Sequence, residues 1–226
     1  MISKTKMRVI DAHAHSLRKD EELYRIALAG TTHRNSLDLL ESFFDRDDIF
    51  IGYGLHPWFI TQHHYEYKNV KWDDFDFIGE IGLDRGRRGT DFAKQCILFE
   101  SMLDVAEDTQ KSVCLHTVRS YGYIYQYLRG RSLSLYFHGY QGSEEFLSQF
   151  PGAFIGVGPQ NLKHKKMEEL YKKVSLSQIL FETDDKTDLE KLWSVYRWFS
   201  ERRNVSIQNL IENQENNFFR WMHHSK

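Results

Sequence analysis

Only three prolines and two cysteines, Cys96 and Cys114, occur in the 226 residues. A secreted disulfide framework needs more cysteine, so a reducing compartment and a cytoplasmic protein are expected. Long apolar runs are missing too. None approaches the roughly 20 residues of a membrane-spanning helix, so no membrane partner is expected. Met1 to Arg8 carry three basic side chains but run into Val9-Ile10-Asp11 rather than an apolar stretch, which argues against a secretory leader. Nor is there an excess of one charge sign: 30 Lys+Arg face 32 Asp+Glu, a net charge of −2. That balance excludes a protein that grips nucleic acid through a globally basic surface. An apolar content of 41% excludes disorder, and no repeat or low-complexity tract is present. Histidine is abundant, with eleven in the chain.

The length suits one domain covering 1–226. Short β-branched or aromatic runs alternate with longer helical patterns, which favours an α/β fold with a parallel sheet. Eight runs read as strands: 8–13, 23–29, 49–55, 76–81, 112–115, 133–137, 153–157 and 178–182. Eight strands with interleaved helices imply a (β/α)8 TIM barrel, at the small end of that fold's range. The clearest helix covers 91–110, with Phe92, Cys96, Phe99, Leu103 and Ala106 spaced by three and four. A shorter one covers 35–44, with Asn35 or Ser36 as its expected cap. Two more, 189–203 and 206–222, end the chain, and Phe218, Phe219 and Trp221 read as core. About ten residues separate the first two strands, so a degenerate first crossover is expected.

A TIM barrel places its chemistry at the C-terminal ends of its strands. Those ends carry Asp11-Ala-His13-Ala-His15, His56, Glu80 with Asp84, His116, His138 and Glu182-Thr-Asp184. Five of the eleven histidines therefore meet on one rim, joined by three acidic residues in particular, Glu80, Asp84 and Asp184. Residues two apart on a strand share a face, so His13 and His15 can reach one ion. Imidazole with carboxylate suits Zn, Mn or similar divalent ions, and a carboxylate can bridge two of them. Two such ions can clamp an attacking and a leaving oxygen and acidify water. Singly, each residue has an ordinary alternative. His116 alone reads as a satisfied core histidine, and Asp184 could cap the next helix. A lone buried Glu80 would be costly. The argument for metal rests on their convergence.

At these motifs the sequence resembles the TatD family of metal-dependent hydrolases, within the amidohydrolase-like barrels. The matching stretches are Asp11-Ala-His-Ala-His15, Gly54-Leu-His-Pro57, Gly79-Glu-Ile-Gly-Leu-Asp84, Gln95 with Phe99, Leu115-His116, Phe137-His-Gly139, Glu182-Thr-Asp184 and Asn217-Phe-Phe219. The resemblance implies that His13, His15, Glu80, His116, His138 and Asp184 are metal ligands, with Glu80 bridging two divalent ions (Mg, Mn or Zn). It implies Asp184 as base, making Glu80 and Asp184 the catalytic pair, and puts His56 and Asp84 at the substrate edge. The activity implied is phosphodiester hydrolysis of the deoxyribonuclease type, with single-stranded or nicked DNA, or a small ester or phosphoester, as substrate. Hydrolysis of a carboxylic ester, amide or lactone is the alternative, and a non-catalytic metal-binding module the remote one. Two departures stand out. The arginine after His116 is Arg119, one residue later than in the family. Asp185-Lys-Thr-Asp188 replaces a proline-containing segment.

A phosphodiester also asks for positive charge on the rim. Arg87 and Arg88 of Arg85-Gly-Arg-Arg88, and Arg119, are the candidates, and Gly86 and Gly89 leave the backbone open to phosphate; a solvated loop is the alternative. Lys163-His-Lys-Lys166 is a weaker one, since it also reads as an exposed helix start. Tyr121, Ile124, Tyr125 and Leu128 have helical spacing and read as packing against the barrel rather than as base-stacking aromatics. Trp58-Phe59 carries the same ambiguity.

Overall fold

In the computed structural model, residues 9–17, 25–60 and 66–222 are described. Eight parallel strands follow one another around a nearly closed barrel in the order of the chain. They are β1 (Ile10–Ala14), β2 (Arg25–Ala29), β3 (Ile49–Tyr53), β4 (Phe77–Asp84), β5 (Ser112–Val118), β6 (Leu135–Phe137), β7 (Phe154–Val157) and β8 (Ile179–Phe181). All eight expected strands are found. β4 and β5 run three residues further than expected, so Asp84 and His116 sit within strands rather than beyond them. The helices are α1 (His33–Phe43), α2 (Phe92–Asp108), α3 (Tyr121–Leu128), α4 (Glu144–Leu147), α5 (Lys165–Lys173), α6 (Leu189–Arg203) and α7 (Ile207–Met222).

The cap of α1 differs from expectation. Thr32, not Asn35 or Ser36, is the cap, and its side chain accepts from Asn35 N. Asn35 instead turns its carboxamide oxygen back to Thr31 N at 2.9 Å. Asp91 does cap α2, accepting from Ala93 N and Lys94 N. α2 then buries one stripe, including Gln95, Leu98, Phe99, Met102 and Leu103, as its period demands. The expected degenerate crossover between β1 and β2 falls largely on residues 18–24, outside the described residues. A second weak crossover was not foreseen. Between β3 and β4 the described residues form only short 3-10 turns, Pro57–Phe59, Glu66–Asn69 and Trp72–Asp74.

Ile10, Ala12, Ala27, Ala29, Phe77, Cys114, Tyr136, Phe154 and Leu180 form one apolar cluster, which Phe218 and Trp221 of α7 complete. Trp221 packs on Phe77 and Tyr136, and its carbonyl accepts from Ser112 and Ser134 at the start of β5 and just before β6, so α7 stoppers the bottom of the barrel. Phe219 is only half-buried and lies beside Arg25. Gln214 and Asn217 tie α7 to β8: Gln214 Oε1 accepts from Phe181 N at 2.8 Å, and Asn217 Nδ2 donates to Ile179 O at 2.8 Å.

At the upper end, β8 and β1 are joined by a side-chain and loop seam. Asp11 Oδ1 accepts from Thr183 N at 3.0 Å and Asp11 Oδ2 from Thr183 Oγ1 at 2.6 Å. Asp184 N donates to His13 O at 2.9 Å, and His15 N to Asp185 O at 2.8 Å. The two register shifts among the described strand pairs fall at Asp11/Ala14 and Ile78/Ile81, the stretches that carry His13 and Glu80. Bulges at such places re-aim side chains. Gly54 sits against this region: a Cβ there would lie 1.9 Å from Gly30 O and 2.3 Å from Glu80 N. Gly54→Ala must displace backbone, and a stability loss of about 2 kcal/mol or more is expected, read as a lower urea midpoint at unchanged slope.

Candidate metal centre

Glu80 is the hub. It is fully buried in the middle of β4, and its two oxygens face different partners. Oε2 lies 3.0 Å from His15 Nε2 and 3.5 Å from His13 Nε2. Oε1 lies 2.5 Å from His138 Nε2, 2.6 Å from His116 Nδ1 and 3.5 Å from His56 Nε2. Burial by itself would raise the Glu80 pKa, but His138, His56 and His116 overcome it and hold the carboxyl well below its ordinary value. Burial would likewise lower His138, yet Glu80 drives it up to about 10. His13, buried and stacked on the His138 ring at 4.3 Å, is pushed down to about 4.

Asp184 closes the other side. Its Oδ1 is 3.7 Å from both His13 Nε2 and His138 Nδ1, and its Oδ2 accepts from Gln160 Nε2 at 3.1 Å. The residue has φ +74, a left-handed conformation that non-glycine residues seldom adopt and that Asp tolerates better than most. Of the designated ligands, Asp184 is the most open, with 38% of its side chain exposed.

Among the described residues, three groups of ligand atoms lie close enough to hold an ion: His13 with His15 and Asp184, His13 with Glu80 and His138, and His56 with Glu80 and His116. His13 Nε2, Glu80 Oε2 and His138 Nδ1 are buried and have no hydrogen-bond partner among the described residues. Unpaired buried polar atoms are costly. Three of them converging with imidazole and carboxylate chemistry fit a divalent cation. All six sequence-assigned ligands are thus gathered at one place.

The surrounding contacts fix ligand orientation. Asp84, which the resemblance put at the substrate edge, is buried with both oxygens engaged. Oδ2 accepts from His116 Nε2 at 3.1 Å and Trp58 Nε1 at 2.5 Å; Oδ1 accepts from Gly86 N at 2.6 Å and Arg87 N at 3.1 Å. Holding a proton on His116 Nε2 leaves Nδ1, which faces Glu80, as the atom available to a metal ion. Burial notwithstanding, His116, Trp58 and Gly86 keep Asp84 ionised far below the usual range. Asp84→Asn is therefore expected to weaken metal affinity by about 10- to 100-fold, measurable by titrating the metal-free protein.

Several members of this surround were not assigned from sequence. Cys114 Sγ lies 3.3 Å from His13 Nδ1, and Tyr136 donates to Glu182, whose other oxygen accepts from Gly139 N at 2.7 Å. Burial pushes Glu182 up to about 8 and Asp11 up to about 7. A signal for two of these existed: Cys114 and Tyr136 each lie two residues before a candidate ligand histidine, hence on its face. Gln160 offered none.

The substrate candidates are distributed unevenly. His56 lies inside the centre, its Nε2 3.2 Å from His116 Nδ1. Arg87 is exposed, its guanidinium stacked 4.4 Å over Trp58. Arg85 is held between the rings of Phe92 and Tyr123. Arg88 and Arg119 are exposed, and Arg119 has φ +52. The Lys163–Lys166 stretch is exposed, and α5 begins at Lys165 within it. In α3, Ile124 and Leu128 are buried, while Tyr125 is 36% exposed.

Metal uptake must displace protons. Glu80 pushes His138 from its ordinary 6.5 up to about 10. Its pairing with Glu80 thus contributes stability below about pH 6.5 that fades as pH rises through about 10. Metal affinity runs the other way, tightening about tenfold per pH unit for each proton displaced, from near neutrality up to that pKa. Calorimetric titration in buffers of different ionisation enthalpy should register the released protons.

A family profile described as TatD related DNase matches residues 9–223. An uncharacterised metal-dependent hydrolase of Haemophilus influenzae is 31% identical over 156 residues, which is 61% of this chain and 59% of that protein's length. YjjV of Escherichia coli, also described as an uncharacterised metal-dependent hydrolase, is 27% identical over 208 residues, 78% of this chain and 79% of that one. The crystal structure of YjjV superposes with a TM-score of 0.79 at 21% identity, over 97% of this chain and 99% of that one. A TatD-family hydrolase from Entamoeba histolytica gives 0.76 at 14% identity, over 97% and 99%. At these identities the two structures speak for the fold. A parallel eight-stranded barrel with histidines and carboxylates gathered on its C-terminal rim falls in the class of metal-dependent hydrolase barrels. With the profile spanning nearly its whole length, the chain belongs to the TatD family of metal-dependent hydrolases.

Proposed function

We propose that the protein is a dinuclear metal-dependent phosphodiesterase acting on DNA, with single-stranded or nicked DNA as substrate. One observation carries the dinuclear reading. The two oxygens of Glu80 address two sets of ring nitrogens, His13 and His15 on one side and His116 and His138 on the other. Two divalent ions, Mg, Mn or Zn, would be held on these sides with Asp184 completing the first, and when bound they supply Lewis acidity toward a phosphoryl oxygen and acidify water.

The chain's own groups do the rest. Asp184 projects a partly open carboxylate toward His13 and His138, and Gln160 fixes its second oxygen. It takes the proton of the attacking water. Asp84 keeps His116 in one tautomer. Arg87, anchored through its backbone N–H to Asp84, offers a guanidinium to the non-bridging phosphate oxygens, with Arg88 and Arg119 farther out on the rim. Local arginines on a chain of net charge −2 suit a substrate handled at one site rather than coated. Two free cysteines accord with a cytoplasmic setting. No described helix is long and apolar enough to cross a membrane.

The test is a hydrolysis panel of single-stranded DNA, RNA, an aryl phosphodiester, an aryl ester and a lactone, each with Mg, Mn and Zn. Metal-dependent release of nucleotides from DNA is expected. Turnover confined to the ester or lactone would overturn the phosphodiester reading.

A further inference from the structure

Beside the metal centre lies a cleft of about 410 Å3 that the hydrolytic roles above leave unused. Its lining includes Thr31, His33, His56, Trp58, Phe59 and Glu66. Volumes of this order are typical of small-molecule sites. His56 is the wall shared with the centre: it lines the cleft, and its Nε2 is 3.5 Å from Glu80 Oε1. A group seated in the cleft is therefore held one side chain away from the hydrolytic carboxylate.

Two features say what that group is. First, the cleft is walled by aromatic surface left open to solvent, with Trp58 40% and Phe59 48% exposed. Trp58 is fixed in place, donating to Asp84 through its indole N–H and carrying the Arg87 guanidinium over its ring. Rigid aromatic faces accept flat rings by stacking. Second, the charges are polar across the cleft. Arg87 stands against Trp58 and is tied through its backbone N–H to Asp84, which holds His116 of the centre, whereas the acidic residue Glu66 lines the cleft itself. A phosphate is drawn to the first and repelled by the second. A ligand that is both flat and anionic is thus oriented with its ring inward and its phosphate toward Arg87 and the centre.

We propose that this cleft is a base-stacking subsite: it receives the nucleobase of a nucleotide whose phosphodiester is cleaved at the centre. The inference rests on the phosphodiester reading and goes beyond it by assigning the aromatic wall a role in substrate selection. Trp58 is tied to the centre through Asp84, so Phe59 is the cleaner probe; its one described ring contact is a tilted one with His56 at 5.8 Å.

The experiment compares, in the metal-loaded wild-type protein, a base-bearing dinucleotide with the same dinucleotide made abasic at one or the other position. Stacking of this kind predicts a preference in kcat/KM of about tenfold or more for the base-bearing compound. Phe59→Ala is expected to reduce that ratio several-fold, chiefly through KM, and Phe59→Tyr to restore it. A wild-type ratio near one, or a ratio that Phe59→Ala leaves unchanged, overturns the subsite while phosphodiester cleavage stands. Failure of the wild type to cleave either dinucleotide overturns the phosphodiester reading and the subsite with it. The wild-type comparison decides the matter even should a variant fold poorly.

Discussion

Replacing Glu80 with Gln is expected to lower metal-dependent hydrolysis by about a thousandfold or more. The expectation follows from charge. Among the described residues, Glu80 is the carboxylate that faces His13, His15, His56, His116 and His138 together. Two divalent ions surrounded by neutral imidazoles would repel each other across the site without it. An ion's stabilisation of developing charge is worth several kcal/mol, and about 4 kcal/mol corresponds to three decades in rate. The amide of Gln offers one oxygen ligand in place of two charged ones. Metal analysis of the purified variant should therefore show a fall in bound divalent ion alongside the loss of rate. Full metal content with rates within tenfold of wild type would sink the bridging role.

The second large effect belongs to Asp184→Asn. The exchange is conservative in backbone terms, because Asn tolerates the left-handed conformation at φ +74 as well as Asp does. The carboxamide oxygen can still accept from Gln160. What disappears is the proton acceptor and one negative charge. Loss of a general base typically costs about 10^2- to 10^4-fold, and that fall is expected in kcat, with the ions on Glu80 largely retained. Single-turnover rates on metal-analysed protein separate this from simple demetallation. A rate within tenfold of wild type at full metal content would remove Asp184 from the proton-transfer role.

Much of this site is legible in the sequence, for a physical reason. Parallel strands are buried on both faces, so they appear as short apolar runs, and a barrel gathers their C-terminal ends whatever the loops do. His13 with His15, His116 and His138 could be placed on one rim from strand ends alone. The surround could not. Asp84 looks like a residue at a strand's edge until Trp58, His116 and two loop N–H groups are seen to surround its carboxylate. Those partners come from three separate segments. Glu182 was visible in the Glu182-Thr-Asp184 motif, but its partner Tyr136 lies 46 residues earlier, on another strand. The cap of α1 was misplaced because Thr32, Asn35 and Ser36 are all good capping residues, and which one caps depends on the loop from β2. The short 3-10 turns that the described residues form between β3 and β4 were equally opaque, since a stretch rich in Trp, Tyr and Asp signals neither helix nor turn strongly.

The seam between β8 and β1 has a consequence for how the protein comes to life. Asp11 and Thr183 are 172 residues apart in the chain, and Asp184 meets His13 across the same join. Five of the six proposed ligands lie in the portion from β1 to just past β6, and the sixth arrives only with the last strand. A chain emerging from the ribosome therefore displays an incomplete coordination shell for most of its synthesis. On the proposed ligand set, capture of metal would be a late event that follows, and rewards, the meeting of the two ends. Ions bound there would act as a clasp across a join that two loop backbone hydrogen bonds and the Asp11–Thr183 contacts otherwise hold, tying the durability of the barrel to the supply of metal.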